Sequence, residues 1–338
     1  MKRQDYPKKR FPPQALLIRR LVYFISTFLA ILINGDVLRA QVDPTMLLVD
    51  WDQNPHWANT FDEPLFFNSG DMKGNGPGIK MFRWDSLGVV KLNRNDPDPQ
   101  SYFGYRYLSM DIESSAPLPG GMEDLAIVGA FKLGENEGGW DITFNGGMGT
   151  SNDGHYSNSD ALYGVAAINA SRPIDEDSRI HIGISYQGNR VLFPDIPIPY
   201  AMYEHKLNEQ FRYRVGIPNS AIEWKPGENV TVSLNYDYPM NVRSSITFKL
   251  NDSWSLMGEY VHSIDGVFLD GQNNTRFFHQ FQRFDAGVRW KSKWIDITIG
   301  VGYAFDQRFE TGYDIRHTSN AGRPSDEMFL MLVLQGIF

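Results

Sequence analysis

The sequence predicts an all-β chain folded as a transmembrane, antiparallel, up-and-down β-barrel, and three observations predict it. Apolar and polar residues alternate in segments about ten residues long, the length a tilted membrane strand requires. The connections between those segments alternate between short and long. A basic, apolar leader opens the chain, and a strand ending in an aromatic residue, Phe338, closes it.

The leader comes first. Lys2, Arg3, Lys8, Lys9, Arg10, Arg19 and Arg20 precede the apolar run Leu21 to Ile33, which has 13 residues. A helical span needs about 20 residues to cross the hydrocarbon, so this run reads as the apolar part of a signal peptide, with cleavage after Ala40. Leu38 is a poor residue for the third position before the cut, and an uncleaved anchor helix is the competing reading. The expected organisation is a signal peptide over 1–40, an N-terminal extension or plug over 41–78, and a barrel over 79–338. Residues 1–40 hold eight basic and two acidic residues, a net of +6, so a chain of formal charge −8 becomes −8 − 6 = −14 after cleavage. A mature chain this acidic argues against nucleic acid as a partner. With no cysteine, disulfide frameworks, thiolate metal sites and a lipid-anchored N-terminal cysteine are all excluded.

The strands follow from period-two patterning, because successive side chains on a strand point to opposite faces. Over 294–306, Ile295, Ile297, Ile299, Val301, Tyr303 and Phe305 share one face, and Asp296, Thr298, Gly300, Gly302, Ala304 and Asp306 share the other. A helix would scatter both sets around its circumference. Phe284, Ala286, Val288 and Trp290 oppose Arg283, Asp285, Gly287 and Arg289 in the same way. Comparable segments lie at 140–148, 179–187, 230–238 and 243–250. Weaker ones lie at 103–112, 124–133, 161–171, 213–225 and 254–264, with 79–92 ambiguous. Bacterial single-chain barrels take even strand numbers, so 12 strands are expected, with 14 the alternative.

The expected loops are 189–210, 265–280 and 307–326, and the expected turns are 226–229, 239–242, 251–253 and 292–293. Short periplasmic turns and longer external loops place the C-terminus in the periplasm, with 239–242 as an exception. In the last strand Met328, Leu330, Leu332, Leu334 and Phe338 share one parity. This is similar to the signal read by the outer-membrane assembly machinery, so that machinery and outer-membrane lipid are the expected partners. The expected location is the outer membrane.

Both signs of charge fall on the inward face. Arg283, Asp285, Arg289, Asp296, Glu259 and Arg214 form the candidate lumen cluster, joined by Arg243 and Lys249. If Lys291 sits opposite Trp294, Arg289 falls opposite Asp296. Such a set can make a charged eyelet for a passing solute, or a self-satisfied network that fills a narrow barrel. For 12 strands the filled barrel is favoured.

No catalytic set emerges. None of the seven histidines has metal-ligand spacing, and no cofactor is implied. His181 and Ser185 share one strand face but stand four residues apart, roughly 13 Å along a strand. Gly146 to Gly149 opens no helix, so it makes no phosphate cradle.

Residues 217–226 (IPNSAIEWKP), 283–290 (RFDAGVRW) and 301–310 (VGYAFDQRFE), together with the Pro-containing stretch 196–200, carry a resemblance. The chain resembles, over roughly 120–338, an uncharacterised family of outer-membrane β-barrels from Gram-negative bacteria. The resemblance implies the architecture and carries no activity. The expected function is channel-like passage of a small solute. The alternative is a structural barrel that binds envelope partners through its long loops.

Overall fold

The computed structural model describes residues 57–74, 76–92, 101–154, 161–272 and 274–337. The leader, its cut site after Ala40 and the terminal Phe338 lie outside the described residues.

The strands in chain order are β1 (Ala58–Phe67), β2 (Gly70–Asp71), β3 (Gly78–Lys91), β4 (Ser101–Ser114), β5 (Gly121–Glu135) and β6 (Asp141–Asn152). Then come β7 (Leu162–Pro173), β8 (Ser178–Gln187), β9 (Ile198–Asn208), β10 (Phe211–Ile217), β11 (Asn219–Gly227) and β12 (Val230–Asp237). The last six are β13 (Asn241–Lys249), β14 (Trp254–Phe268), β15 (Arg276–Lys291), β16 (Ile295–Gly312), β17 (Thr318–Gly322) and β18 (Glu327–Ile337).

Each wall strand pairs antiparallel with its neighbour in sequence. β18 returns to β1, with Phe61 opposite Gln335 and Leu65 opposite Met331. The wall is therefore a closed ring of 16 strands, with β2 and β17 as short additions to β3 and β16. Closure leaves no open edge, which is what a sheet in hydrocarbon requires.

Sixteen strands replace the expected 12 or 14, for three local reasons. β1 falls in the segment expected to be an extension or plug, so the barrel starts at Ala58. Its pattern is inverted: Phe61, Leu65 and Phe67 are buried on the face that carries Glu63. β9 falls in the expected 189–210 loop, where Pro197 and Pro199 mask the alternation. The 213–225 segment is a hairpin, with Pro218 alone between β10 and β11 and Tyr213 opposite Ile222. The ambiguous 79–92 segment is β3.

Connections divide between the two ends. One end carries 136–140, 174–177, 209–210, 228–229, 250–253 and 292–294, together with 92–100 and the described termini. The other carries 115–120, 153–161, 188–197, 269–275 and the longer 68–77 and 313–326. We refer to these as the turn end and the loop end. The wall is low at one place on the loop end. β10, β11, β12 and β13 have 7, 9, 8 and 9 residues, whereas β14, β15 and β16 have 15, 16 and 18. Asn241 accepts a 2.9 Å hydrogen bond from the Ile264 N–H, and β14 runs on past that level to Phe268.

The faces are those the alternation predicts. Ile299, Val301, Tyr303, Phe284, Val288, Met328 and Leu330 are exposed outward, while Asp296, Thr298, Ala304, Arg283, Asp285 and Arg289 are buried inward.

Candidate functional site

The lumen has two unlike sides. On the side formed by β14–β16, β18, β1, β3 and β4, the inward side chains pack across the barrel. Arg243 donates through Nε to Glu259 Oε1 at 2.6 Å, and Arg283 donates through Nη2 to Glu63 Oε1 at 2.7 Å. Arg283 Nε also lies 3.3 Å from Asp285 Oδ2. A second group meets at Asp265 on β14, which accepts from Arg83 at 2.7 Å, from Arg106 at 3.2 Å and from Ser263 at 3.2 Å. Arg83 continues to Asp85 at 2.6 Å; Arg106 continues to Asp124 at 2.9 Å, which also accepts from Tyr163 at 2.7 Å.

These charges are cut off from water. The Asp265 side chain is 0 % exposed and that of Arg283 is 2 %. Apolar side chains cover the network towards the loop end, among them Leu65, Ile79, Phe277, Phe309, Phe329 and Met331. Arg83 lies 5.0 Å over the Phe281 ring and Arg283 lies 5.7 Å over Phe329. His279 stacks on Phe281 with ring centroids 4.9 Å apart. A buried ion is tolerated only with close partners, and removing one partner typically costs about 3–5 kcal/mol. This side of the lumen is a fixed, filled interior.

The β10–β13 side is different. Its inward residues are small or polar, and Ala221, Thr231, Asn235, Ser245 and Thr247 are only half-buried. Glu204 accepts from Arg214 Nη2 at 3.2 Å, Arg214 Nη1 donates to Asn219 Oδ1 at 3.2 Å, and Asn219 donates to Asp237 at 2.7 Å. The result is a water-accessible polar strip running across β9–β12.

Loop 188–197 reaches over the mouth. Asn189 Nδ2 donates to Ser151 Oγ at 2.8 Å and to the Gly266 carbonyl at 3.0 Å. Arg276, fully buried, donates to the carbonyls of Gly188 and Tyr313, both at 2.8 Å. Val191, Ile264 and Phe278 cluster with Ile315. Phe193 and Asp195 take left-handed backbone angles, φ 52 and 60, which make the loop's tight bend. In the neighbouring loop Arg316 lies 4.2 Å over the Phe193 ring and donates through Nε to Asp314 at 2.9 Å. Burial alone would raise the Asp314 carboxyl. The side-chain and backbone donors of Arg316, helped by His317, outweigh it and hold that carboxyl below its ordinary value. Between this loop and the low rim lies a cleft reaching from Pro218 and Tyr238 down to Arg106 and Asp124.

The six predicted lumen residues separate. Arg283, Asp285 and Glu259 meet in one network with Arg243. Arg214 sits on the wet side, against Glu204. Arg289 and Asp296 are inward and buried but do not face each other, because the register sets Lys291 opposite Asp296 and Arg289 opposite Thr298. Ser292 causes the difference: it closes the turn against the Ile295 backbone, donating through N and Oγ at 2.9 and 2.8 Å. The offset from the expected register is two residues, so the faces are unchanged. Arg289 Nη2 lies 3.2 Å from Met257 Sδ, and Lys291 Nζ lies 3.9 Å from Asp296. Lys249 pairs with Asp252 at the turn end. Glu63, Arg83, Arg106 and Asp265 were missed. Glu63 and Asp265 fall in segments expected to be an extension and a loop.

His181 and Ser185 stay apart: His181 approaches Glu204 at 3.6 Å and Ser185 accepts from Arg190 at 3.0 Å. Ser178 Oγ and His205 Nδ1 are 2.8 Å apart, but Ser178 is buried and also accepts from Tyr203 at 3.2 Å. The hydroxyl is covered, so the pair ties β8 to β9.

No family model matches the chain, and no curated protein matches it. Among solved structures, an outer-membrane channel from Pseudomonas putida F1 overlaps 88% of this chain and 100% of its own, at 12% identity and TM-score 0.36. A toluene transporter from Ralstonia pickettii overlaps 90% and 96%, at 9% identity and TM-score 0.34. A Pseudomonas aeruginosa FadL homologue overlaps 83% and 88%, at 11% identity and TM-score 0.35. These overlaps are too loose to assign a family, and the barrel rests on the strand pairing of this chain alone.

Proposed function

We propose that this chain is an outer-membrane passage protein for small polar solutes, with its route confined to the β10–β13 side of the lumen. The half-buried polar strip along that wall carries the proposal, because it is where water reaches the inward face. The opposite side is filled by its own ion pairs and apolar side chains, which narrows the barrel far below what 16 strands would otherwise enclose.

The outer surface supports the membrane reading. Leu330, Ile299, Leu162 and Met148 are 60–69% exposed, an outward apolar belt that water would disfavour. Trp254 stands opposite Trp290 near the turn end, and Trp294 lies in the adjacent turn, all exposed. Tryptophans at one level mark a membrane–water interface. Short turns at that end support a periplasmic C-terminus. The ion-paired charges of the filled side favour a second reading, a structural barrel that conducts nothing.

Swelling of liposomes holding the refolded protein separates the two. The passage reading expects swelling in small neutral solutes such as glycine and arabinose, falling off with solute size. No swelling in any of them, with the barrel folded, leaves the structural reading.

A further inference from the structure

The cleft at the low rim has chemistry of its own. Two apolar surfaces meet there. Val215 and Ile217 belong to the outward row of β10 and are 55% and 49% exposed, and Ile217 also lines the cleft. Past Pro218 the lining continues inward through Ile198, Tyr200 and Val191. An apolar path therefore runs over the rim from the outer face of the wall to the barrel interior. At that point the wall is 7–9 residues long, at or below the roughly 9–11 residues a membrane strand needs. The rim therefore sits at the depth of the outer leaflet.

The polar floor says what the cleft would hold. Its four charged residues, Arg106, Arg190, Asp124 and Asp237, sum to zero and are already engaged. Arg106 is held by Asp124 and Asp265, and Arg190 donates to the Ile196 carbonyl at 3.2 Å and to Ser185 at 3.0 Å. Asp124 accepts from Arg106 and Tyr163, and Asp237 accepts from Asn219. An ionic ligand would lose hydration and find no spare countercharge. A neutral head that both donates and accepts hydrogen bonds suits the hydroxyl and amide groups of Ser185, Gln187 and Asn241.

We infer that this cleft binds an uncharged amphiphile, an apolar body with an alcohol-type head, which enters sideways over the Pro218 rim from the outer leaflet. The inference rests on the membrane placement proposed above. It does not require that polar solutes cross.

The absence of native cysteine allows a clean test in lipid nanodiscs. A bimane label on I198C reports the cleft, and one on M328C, on the lipid-facing row of β18, reports the bilayer. Decanol is expected to shift the first label saturably and the second only in proportion to its concentration in the lipid. Decanoate, ionised at about pH 8, should bind at least about tenfold more weakly, an energy difference of about 1.4 kcal/mol. The Val215→Trp change, on the outward row of β10 and outside the cleft lining, combined with the I198C label, should slow decanol association severalfold and leave the end point unchanged. Heat-modifiable gel mobility verifies folding of each variant, and a Y238C label serves if I198C does not fold. Equal, unsaturating responses at both labels, or decanoate binding as tightly as decanol, would overturn the binding site. An unchanged rate in Val215→Trp would overturn the sideways route. Swelling in arabinose is read on unlabelled protein, so a failure of the passage reading is seen separately.

Discussion

The two sides of the lumen are built from the same alternating strands, yet one is dry and the other is wet. On β15 and β16 the inward row holds Arg283, Asp285, Asp296 and Ala304, all buried. On β11–β13 Ala221, Thr231, Asn235 and Thr247 of the inward row are half-buried, although Ser233 and Arg243 of the same row are buried. The difference lies in what stands opposite. Long inward side chains on β1, β3 and β4 reach β13, β14 and β15 and complete ion pairs there, as Glu63 does with Arg283 and Arg83 with Asp265. On β11–β13, Ala221, Thr231, Ser245 and Thr247 are too short to reach across, and the long Arg214 of β10 is turned along the wall to Glu204 and Asn219. Polarity alone does not make a channel; the length of the polar side chains decides whether a lumen fills.

The sharpest way to break this contrast is to remove one ion from the dry side. Arg283→Ala strands Glu63 and Asp285 in a buried site and should cost about 3–5 kcal/mol, read as a large drop in the unfolding midpoint on heat-modifiable gels. Ser245→Ala on the wet side should change stability by less than about 0.5 kcal/mol. Backbone spacing gives the next contrast. A Cβ on Gly302 would come within 2.0 Å of the Phe329 ring, whereas one on Gly227 would meet nothing within 4 Å. Gly302→Ala should therefore cost about 1–3 kcal/mol by overpacking, and Gly227→Ala should be nearly silent in the same assay. Permeability should respond in the opposite sense. Asn235→Trp puts a large ring into the wet strip and should lower arabinose swelling severalfold while the folded fraction is unchanged.

The smallest effect is local and depends on pH. Because the Asp314 carboxyl is held below its ordinary value, its bonds to Arg316 and His317 are complete above the usual carboxylate range. They are lost only as pH falls through the lowered value. Hydrogen exchange at the Arg316 amide, which donates to Asp314 at 3.0 Å, should stay protected from neutrality down through the ordinary carboxylate range and lose protection only below it.

Much of the wall was legible in the sequence because the strand period is two, and a face assignment survives errors of register by two. Arg283, Asp285, Arg289 and Asp296 all lie on the buried face of β15 and β16, even though Arg289 stands opposite Thr298 and not Asp296. Strands that break the pattern were lost. β1 carries its apolar residues inward, and β9 opens on prolines, so both read as something other than wall. The pairing of the lumen charges was not legible at all. Arg83 and Asp265 are 182 residues apart, and their contact depends on which strands face each other across the ring, which no local pattern encodes. The wet strip was hidden for the same reason, since the small polar residues of β12 alternate just as they would on a filled wall.

Where water and solute reach the inward face separates a wet β10–β13 side from a lumen filled throughout. With no native cysteine to interfere, single-cysteine variants A221C and A304C can be treated with a charged, membrane-impermeant thiol reagent in proteoliposomes, and arabinose flux measured before and after. Position 221 is expected to react quickly, with flux falling as it does, while position 304, fully buried, stays unmodified. Modification of A304C at a comparable rate, or flux unchanged after A221C is fully modified, would contradict the division into a wet and a dry side.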